Sequence, residues 1–375
     1  VIFFILIIFI INFFSKKLFI NNIRGLNIFF WHTLLCLIYY FYTSFDVADS
    51  DSYYIDAIDI NQNFKVTDYG ANFIRAFLQI VLKFFDVSYL GFFLIFNLIG
   101  TIGLLYLDSS LKFVTTNSNK IYKILGSCFV FIPSINFWSS AIGKDAISML
   151  SIGIILWSVI NIKSRLIPFF FAAGIMLLIR PHISTMIILS FFIATFIDFK
   201  QFKLIYKIFL LFMLTLIISW LLPQALEISG VMPKADFYSF NINLYAEKIN
   251  DFISSRKPSD IYVGTSTQQL SNYDIIFNFF TYFFRPLIFE GTNIFSFYVS
   301  IENSILLLLF LYLLINISKT KIEGPFFKFI IIFSVISALL LIETSANLGI
   351  NNRQKWMVLP FMFFLLLSGA KNKKT

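Results

Sequence analysis

The residues in this chain that could do chemistry are ionisable side chains placed at the edges of apolar runs. Lys144-Asp145 follows Gly143, Arg180-Pro181-His182 closes one run, and Arg285-Pro286 closes another with Glu290 five residues on. Glu302 lies inside an apolar run and Arg353 at the start of one. A charged side chain at the centre of a membrane helix costs about 2.5–3.5 kcal/mol, so such positions are candidate functional sites by default. Arginine, lysine and histidine suit the oxygens of a diphosphate. Aspartate and glutamate suit removal of a proton from a sugar hydroxyl. The candidates for catalysis are therefore Asp145, Glu290 and Glu302, and those for diphosphate binding Lys144, Arg180, His182, Arg285 and Arg353.

Each has a plainer reading beside it. The stretch PSINFWSSAIGKDAIS (133–148) could be a hairpin turn, with Ser139 or Ser140 capping the next helix and Asp145 favouring its first-turn dipole. It is not a nucleotide-phosphate loop, because Trp138 stands where the first glycine belongs and Asp145 replaces the hydroxyl residue. An arginine before proline sits where a helix stops, so it could meet the helix dipole and reach the headgroups. Two such Arg-Pro breaks favour a binding role. Glu302 lies about 12 Å of helix below the outer end of its run, and its alternative is a buried ion pair. Glu290 is nearer the surface. Lys355 and Trp356, beside Arg353, read as an interfacial anchor. His32 reads as structural. Asp49 and Asp51 are secondary candidates that could share a divalent metal, though alternating acids in an exposed loop are usually only solvated. No metal site is expected.

These residues must be positioned by membrane helices. The 375 residues are 58% hydrophobic and only 13% charged, about half the charge of a soluble domain. That excludes a soluble globular, a disordered or a disulfide-knit chain. Cys36 and Cys128 both lie in apolar runs, so no disulfide framework is available. The expected architecture is all-α, a single polytopic domain over residues 1–375 with about eleven spans: 1–14, 27–45, 88–107, 121–138, 146–160, 166–180, 183–198, 204–222, 294–315, 326–343 and 355–370. The first reaches only roughly 21 Å. The chain begins with Val, and no basic stretch precedes that segment, so it is not read as a cleaved signal peptide. Residues 46–87 form an acidic outer loop followed by an amphipathic helix over 72–85, and 223–293 a large outer loop ending in a re-entrant or interfacial segment over 274–293.

Lys/Arg placement orients the spans. Taking the breaks alternately, one side receives 17 basic residues against Asp108, Asp198 and Glu323, and the other is net acidic. The basic side is expected to be cytoplasmic, with the C-terminus inside. The formal net charge of +9 is then a topology signal, and no nucleic-acid partner is needed to explain it. All eight candidates map to the outer half, where no ATP or nucleotide sugar is available. A lipid-linked substrate already carried across the membrane is.

Five segments, FIPSINFWSSAIGKDA (131–146), LIRPHIS (178–184), FFRPLIFEGTN (283–293), SIEN (300–303) and NLGINNRQKWMVLP (347–360), resemble the motifs of the Wzy-type O-antigen and capsule repeat-unit polymerases. DSDSYYIDA (49–57) is similar to the acidic-Tyr loop of their EpsG-like relatives. The resemblance runs from about residue 46 to 360. It implies an enzyme of the bacterial plasma membrane that transfers a growing glycan from one undecaprenyl diphosphate to a new lipid-linked repeat unit at the outer face. Arg180, Arg285 and Arg353 would hold the anionic donor and acceptor. No cofactor is implied, because fixed cations can neutralise a departing diphosphate. The partners would be undecaprenyl-diphosphate-linked oligosaccharide and membrane lipid, with chain-length regulator and flippase proteins as further candidates. Two alternatives stay open. One is a polyprenyl-phosphate-sugar glycosyltransferase or O-antigen ligase, centred on Asp49 and Asp51. The other, ranked third, is a transporter or flippase.

Overall fold

The structure is a computed structural model and describes residues 2–46, 48–59, 61–198, 208, 215, 219, 222–223, 226–227, 232–239, 241–256, 260–263, 266–269, 275–291, 294–316, 325–344 and 348–369. Its internal contacts gather into two compact units, Val1–Arg180 and Pro181–Lys371. The first unit holds α1 (Ile2–Lys17), α2 (Asn22–Tyr42), α3 (Asp49–Ile58), α4 (Ala71–Phe84), α5 (Tyr89–Thr115), α6 (Lys120–Phe129), α7 (Pro133–Ser139), α8 (Lys144–Ile160) and α9 (Leu166–Ile179). The second holds α10 (Pro181–Asp198), α11 (Ile242–Arg256), an antiparallel hairpin of β1 (Asp260–Val263) and β2 (Ser266–Gln269), α12 (Ile275–Phe284), α13 (Ile294–Ile315), α14 (Pro325–Thr344), α15 (Leu348–Gln354) and α16 (Leu359–Ser368). A 3-10 turn, Lys355–Met357, joins the last two.

Helix α2 shows what solvent this chain is built for. Asn21 caps it by accepting from the Ile23 N–H at 2.8 Å. Gly25, Ile28, Phe29, His32, Leu35, Cys36 and Tyr39 are buried along one face. Ile23, Phe30, Leu34, Ile38 and Phe41 are exposed along the other. Both faces are apolar, which suits lipid and not water. Among the described residues, four stretches are long and apolar enough to cross a membrane: Asn22–Tyr42, Tyr89–Thr115, Lys120–Ser139 and Ile294–Ile315. Shorter apolar helices occupy Leu166–Ile179, Pro181–Ile197, Phe327–Ile342 and Leu359–Ser368, within or close to four more of the expected spans. Most of the expected span 204–222 lies outside the described residues.

Prolines divide the elements. The expected span 121–138 is two helices, because Pro133 drives Ile132 out of helical geometry, to φ −57° and ψ 128°. Asn136 repairs the break: its Nδ2 donates to Val130 O at 2.8 Å and to Ile132 O at 2.7 Å. The amphipathic helix expected over 72–85 is α4. The acidic stretch before it contains α3 instead of running as an open loop. The segment expected over 274–293 is α12, which stops at the Arg285-Pro286 bond, a cis peptide.

Close helix contact in the first unit depends on glycine. A β-carbon at Gly153 of α8 would stand 2.2 Å from Gly103 O of α5, and one at Gly103 would stand 2.6 Å from the Met149 and Leu150 backbone. Small residues let helix backbones approach where lipid removes the hydrophobic drive. Phenylalanine fills the remaining space, as in the second unit, where the Phe284 and Phe310 rings lie 5.2 Å apart and Phe333 and Phe361 4.5 Å.

Candidate functional site

In the first unit the end of α9 meets the start of α8. Pro181 cannot continue α9, so Arg180 leaves the helix at φ −143°, ψ 79°, while its N–H still closes the last turn onto Met176 O at 2.7 Å. Asp145 lies in the first turn of α8, where the helix dipole favours an anion. Arg180 Nη2 donates to Asp145 Oδ1 at 2.6 Å, and the two side chains are 6% and 11% exposed. The guanidinium is not fully satisfied, because its buried Nε finds no hydrogen-bond acceptor among the described residues. Lys144, next along α8, is half-buried. Gly70 ties α4 to this corner. Its N–H donates to Leu178 O at 2.7 Å from a φ of +65°, a conformation that favours glycine.

The serines do not cap α8 as the sequence suggested. Helix α7 runs through Ser139, whose hydroxyl donates to Ile135 O at 2.6 Å, and Ser140 donates to Phe137 O at 2.9 Å. Gly143 precedes α8 without a side-chain cap.

The acidic segment is engaged in its own folding. Asp51 accepts from the Ala48 N–H at 2.8 Å through Oδ2 and from the Tyr89 hydroxyl at 2.6 Å through Oδ1. Asp56 accepts from Arg75 Nε at 2.7 Å, and Arg75 also lies over the Tyr53 and Phe64 rings. These bonds fix α3 on α4 and on the start of α5. Asp49, at the start of α3, also has an interaction partner.

In the second unit, α12 delivers Arg285 to a tight loop. Glu290 returns to it: Arg285 Nε lies 2.9 Å from Glu290 Oε1 and 3.1 Å from Oε2, and Nη2 also donates to Oε1. The Leu287 N–H donates to Glu290 Oε2 at 2.7 Å. The side chains are only 12% and 9% exposed. A carboxylate so engaged can serve as a base only by giving up the arginine. The loop is pinned to α13 from both sides, by Asn303 Nδ2 donating to Pro286 O at 3.3 Å and by the Ile288 N–H donating to Ser304 Oγ at 3.1 Å. Glu302 precedes Asn303 on α13 and is half-buried. Arg353 is half-buried near the end of α15, and His182 is half-buried at the start of α10.

The interfacial-anchor reading of Lys355 fails. The side chain is fully buried, because the 3-10 turn between α15 and α16 carries it inside the unit. Its Nζ donates to Asn303 Oδ1 and lies 5.4 Å from the centre of the Trp356 ring. Glu302 interacts with it electrostatically. No spacing rule marks Lys355, since a lysine beside tryptophan at the end of an apolar run is the ordinary sign of an anchor.

Two further polar clusters were not legible. Asp108 is fully buried on α5, with Arg24 Nε at 2.9 and 3.1 Å, Arg24 Nη2 at 2.5 Å and Lys112 Nζ at 3.1 Å. Arg24 Nη2 also donates to Ser127 O at 2.7 Å, so this carboxylate ties α2, α5 and α6 together. His32 is the second case, and it is structural as read. Its Nδ1 lies 3.1 Å from Asn97 O and 2.9 Å from Thr101 Oγ1, and its Nε2 lies 3.1 Å from Ser139 Oγ. A carbonyl can only accept, so Nδ1 carries the proton.

Compared with known proteins, the chain matches no family model, no curated protein and no solved structure.

Proposed function

We propose that the protein is a membrane glycosyltransferase that joins undecaprenyl-diphosphate-linked oligosaccharide repeat units at the outer face of the bacterial plasma membrane. The observation that carries this reading is Arg180, a 5%-exposed arginine at a helix break whose buried Nε has no acceptor among the described residues. An unmet buried donor is costly, and a phosphate oxygen meets it with a charge-assisted bond. Arg285 supplies a second buried guanidinium in the other unit. The resemblance to repeat-unit polymerases agrees with both arginines, and in the proposed topology each break faces outward. In this reading an acceptor hydroxyl attacks the anomeric carbon of the donor glycan. The carbon–oxygen bond to the diphosphate breaks, and undecaprenyl diphosphate leaves with the electron pair. Arginine neutralises that charge without a metal. Asp145 and Glu290 hold the arginines in place. Glu302, beside the Asn303–Lys355 pair, takes the hydroxyl proton.

The alternative centred on Asp49 and Asp51 gains no support from an acidic segment whose Asp51 and Asp56 are engaged in helix packing. The test is the lipid-linked glycan profile of a deletion strain carrying wild type, Arg180→Ala or Arg285→Ala. Single repeat units on undecaprenyl diphosphate with long glycan lost are expected in the deletion and in both variants. Wild-type chain lengths in the deletion strain would overturn the proposal.

A further inference from the structure

We propose that Lys355 is a phosphate-binding residue of the second unit, holding an oxygen of the prenyl diphosphate. The inference rests on the function proposed above and adds a residue to it. A lysine ammonium has three N–H donors and no acceptor. Lys355 is fully buried, and among the described residues its ammonium has one hydrogen bond, to Asn303 Oδ1. The Trp356 ring covers it at 5.4 Å and accepts charge without taking a hydrogen bond. Glu302 acts on the ammonium through space, but N–H donors left over after Asn303 are costly to bury unless an acceptor completes the shell.

The surroundings identify what completes it. Asn303 holds Lys355 through its carbonyl and the Pro286 carbonyl through its amide, so one side chain joins the lysine to the residue after Arg285. The short helix that leads into Lys355 buries Asn352 as well, and its Oδ1 finds no donor among the described residues. Leftover donors on the cation and a leftover acceptor three residues earlier in the chain fit a ligand with anionic oxygens and hydroxyl groups. A glycosyl diphosphate has both. An apolar ligand would satisfy neither, and a bare cation would be repelled by Lys355.

The test is binding of farnesyl diphosphate, inorganic pyrophosphate and farnesol to the full-length detergent-solubilised protein. Lys355→Gln is expected to weaken both diphosphates about tenfold or more and Lys355→Arg far less, as a charge-assisted bond requires. Tight farnesyl diphosphate binding by Lys355→Gln overturns the inference and leaves the proposed function standing. A loss confined to farnesol overturns it too. Failure of wild type to bind any diphosphate overturns both. If Lys355→Gln does not fold, hydrogen–deuterium exchange of wild type with and without farnesyl diphosphate decides. Protection over 300–304 and 353–358 supports the role, and protection elsewhere alone refutes it.

Discussion

Arg180 and Asp145 are 35 residues apart in the chain and 2.6 Å apart in space, one leaving α9 and the other opening α8. The bond couples the ends of two helices that pack side by side. Removing one partner of a buried pair leaves an uncompensated charge, which costs about 3–5 kcal/mol. Asp145→Ala should therefore lower thermal stability strongly. Arg180→Ala should cost less, because the dipole of α8 still favours Asp145. The double variant should regain part of the loss. Melting curves of the three proteins in one detergent check this, and additive losses would show that the pair is not coupled.

Arg285 and Glu290 form a pair of the same kind within one loop, and the roles differ. If Glu290 is the clamp for Arg285, Glu290→Gln should keep the shape of the pH–rate profile and lose activity mainly through Arg285. Arg285→Lys keeps charge but not the fork that bonds two oxygens at once, and should cost roughly tenfold or more in polymer output. The check is the rate of lipid-linked polymer formation across pH in membranes. An acidic limb, the fall in rate at low pH, that disappears in Glu290→Gln would make Glu290 the base instead.

The sequence carried the apolar helical character, the Arg-Pro breaks and the amphipathic helix that became α4, because apolar run length and proline are local signals. The pairs were beyond it. Arg180 and Arg285 could be named as arginines at helix breaks, but their burial and partners depend on how the chain folds around them. Lys355 was misread for the same reason. Only the 3-10 turn after α15 decides whether a lysine beside tryptophan reaches headgroups or the interior. Asp108 looked like one acid among many inner-face cations, and its burial follows from α2, α5 and α6 converging on it.

Asp108 therefore makes a stability prediction of its own. It is fully buried, while Arg24 and Lys112 side chains are 22% and 33% exposed. Asp108→Ala strands two cations and should destabilise by about 3–5 kcal/mol. Lys112→Ala leaves the arginine fork in place and should cost under about 1 kcal/mol. Arg24→Ala should fall between them. The order is read from urea or thermal melts, and a Lys112→Ala loss as large as that of Asp108→Ala would contradict it.

The glycine contact between α5 and α8 predicts a packing effect that reaches the candidate site. Gly153→Ala places a methyl 2.2 Å from Gly103 O, so the helices must separate. Overpacking of this kind costs about 1–3 kcal/mol. Because α8 also carries Asp145, the shift should weaken the bond to Arg180 and lower activity at a temperature where the protein is still folded. Gly174→Ala, which meets nothing within 4 Å, is the control and should do neither.

The last prediction concerns the side on which the site lies. Lys112, Lys120 and Lys123 flank the turn between α5 and α6, and the proposed orientation makes this turn cytoplasmic. The same proposal expects the acidic segment before α4, and each Arg-Pro break, to be outside. Single cysteines report this directly in a background where Cys36 and the exposed Cys128 are replaced by serine. A cysteine at Ser118, in the α5–α6 turn, should resist a membrane-impermeant maleimide in intact cells and react after permeabilisation. One at Gln62, exposed between α3 and α4, should react at once. The opposite pattern would place both arginine breaks in the cytoplasm. A diphosphate site there could use nucleotide-activated sugars, and the argument for a polymerase working on lipid-carried substrate would lose its premise.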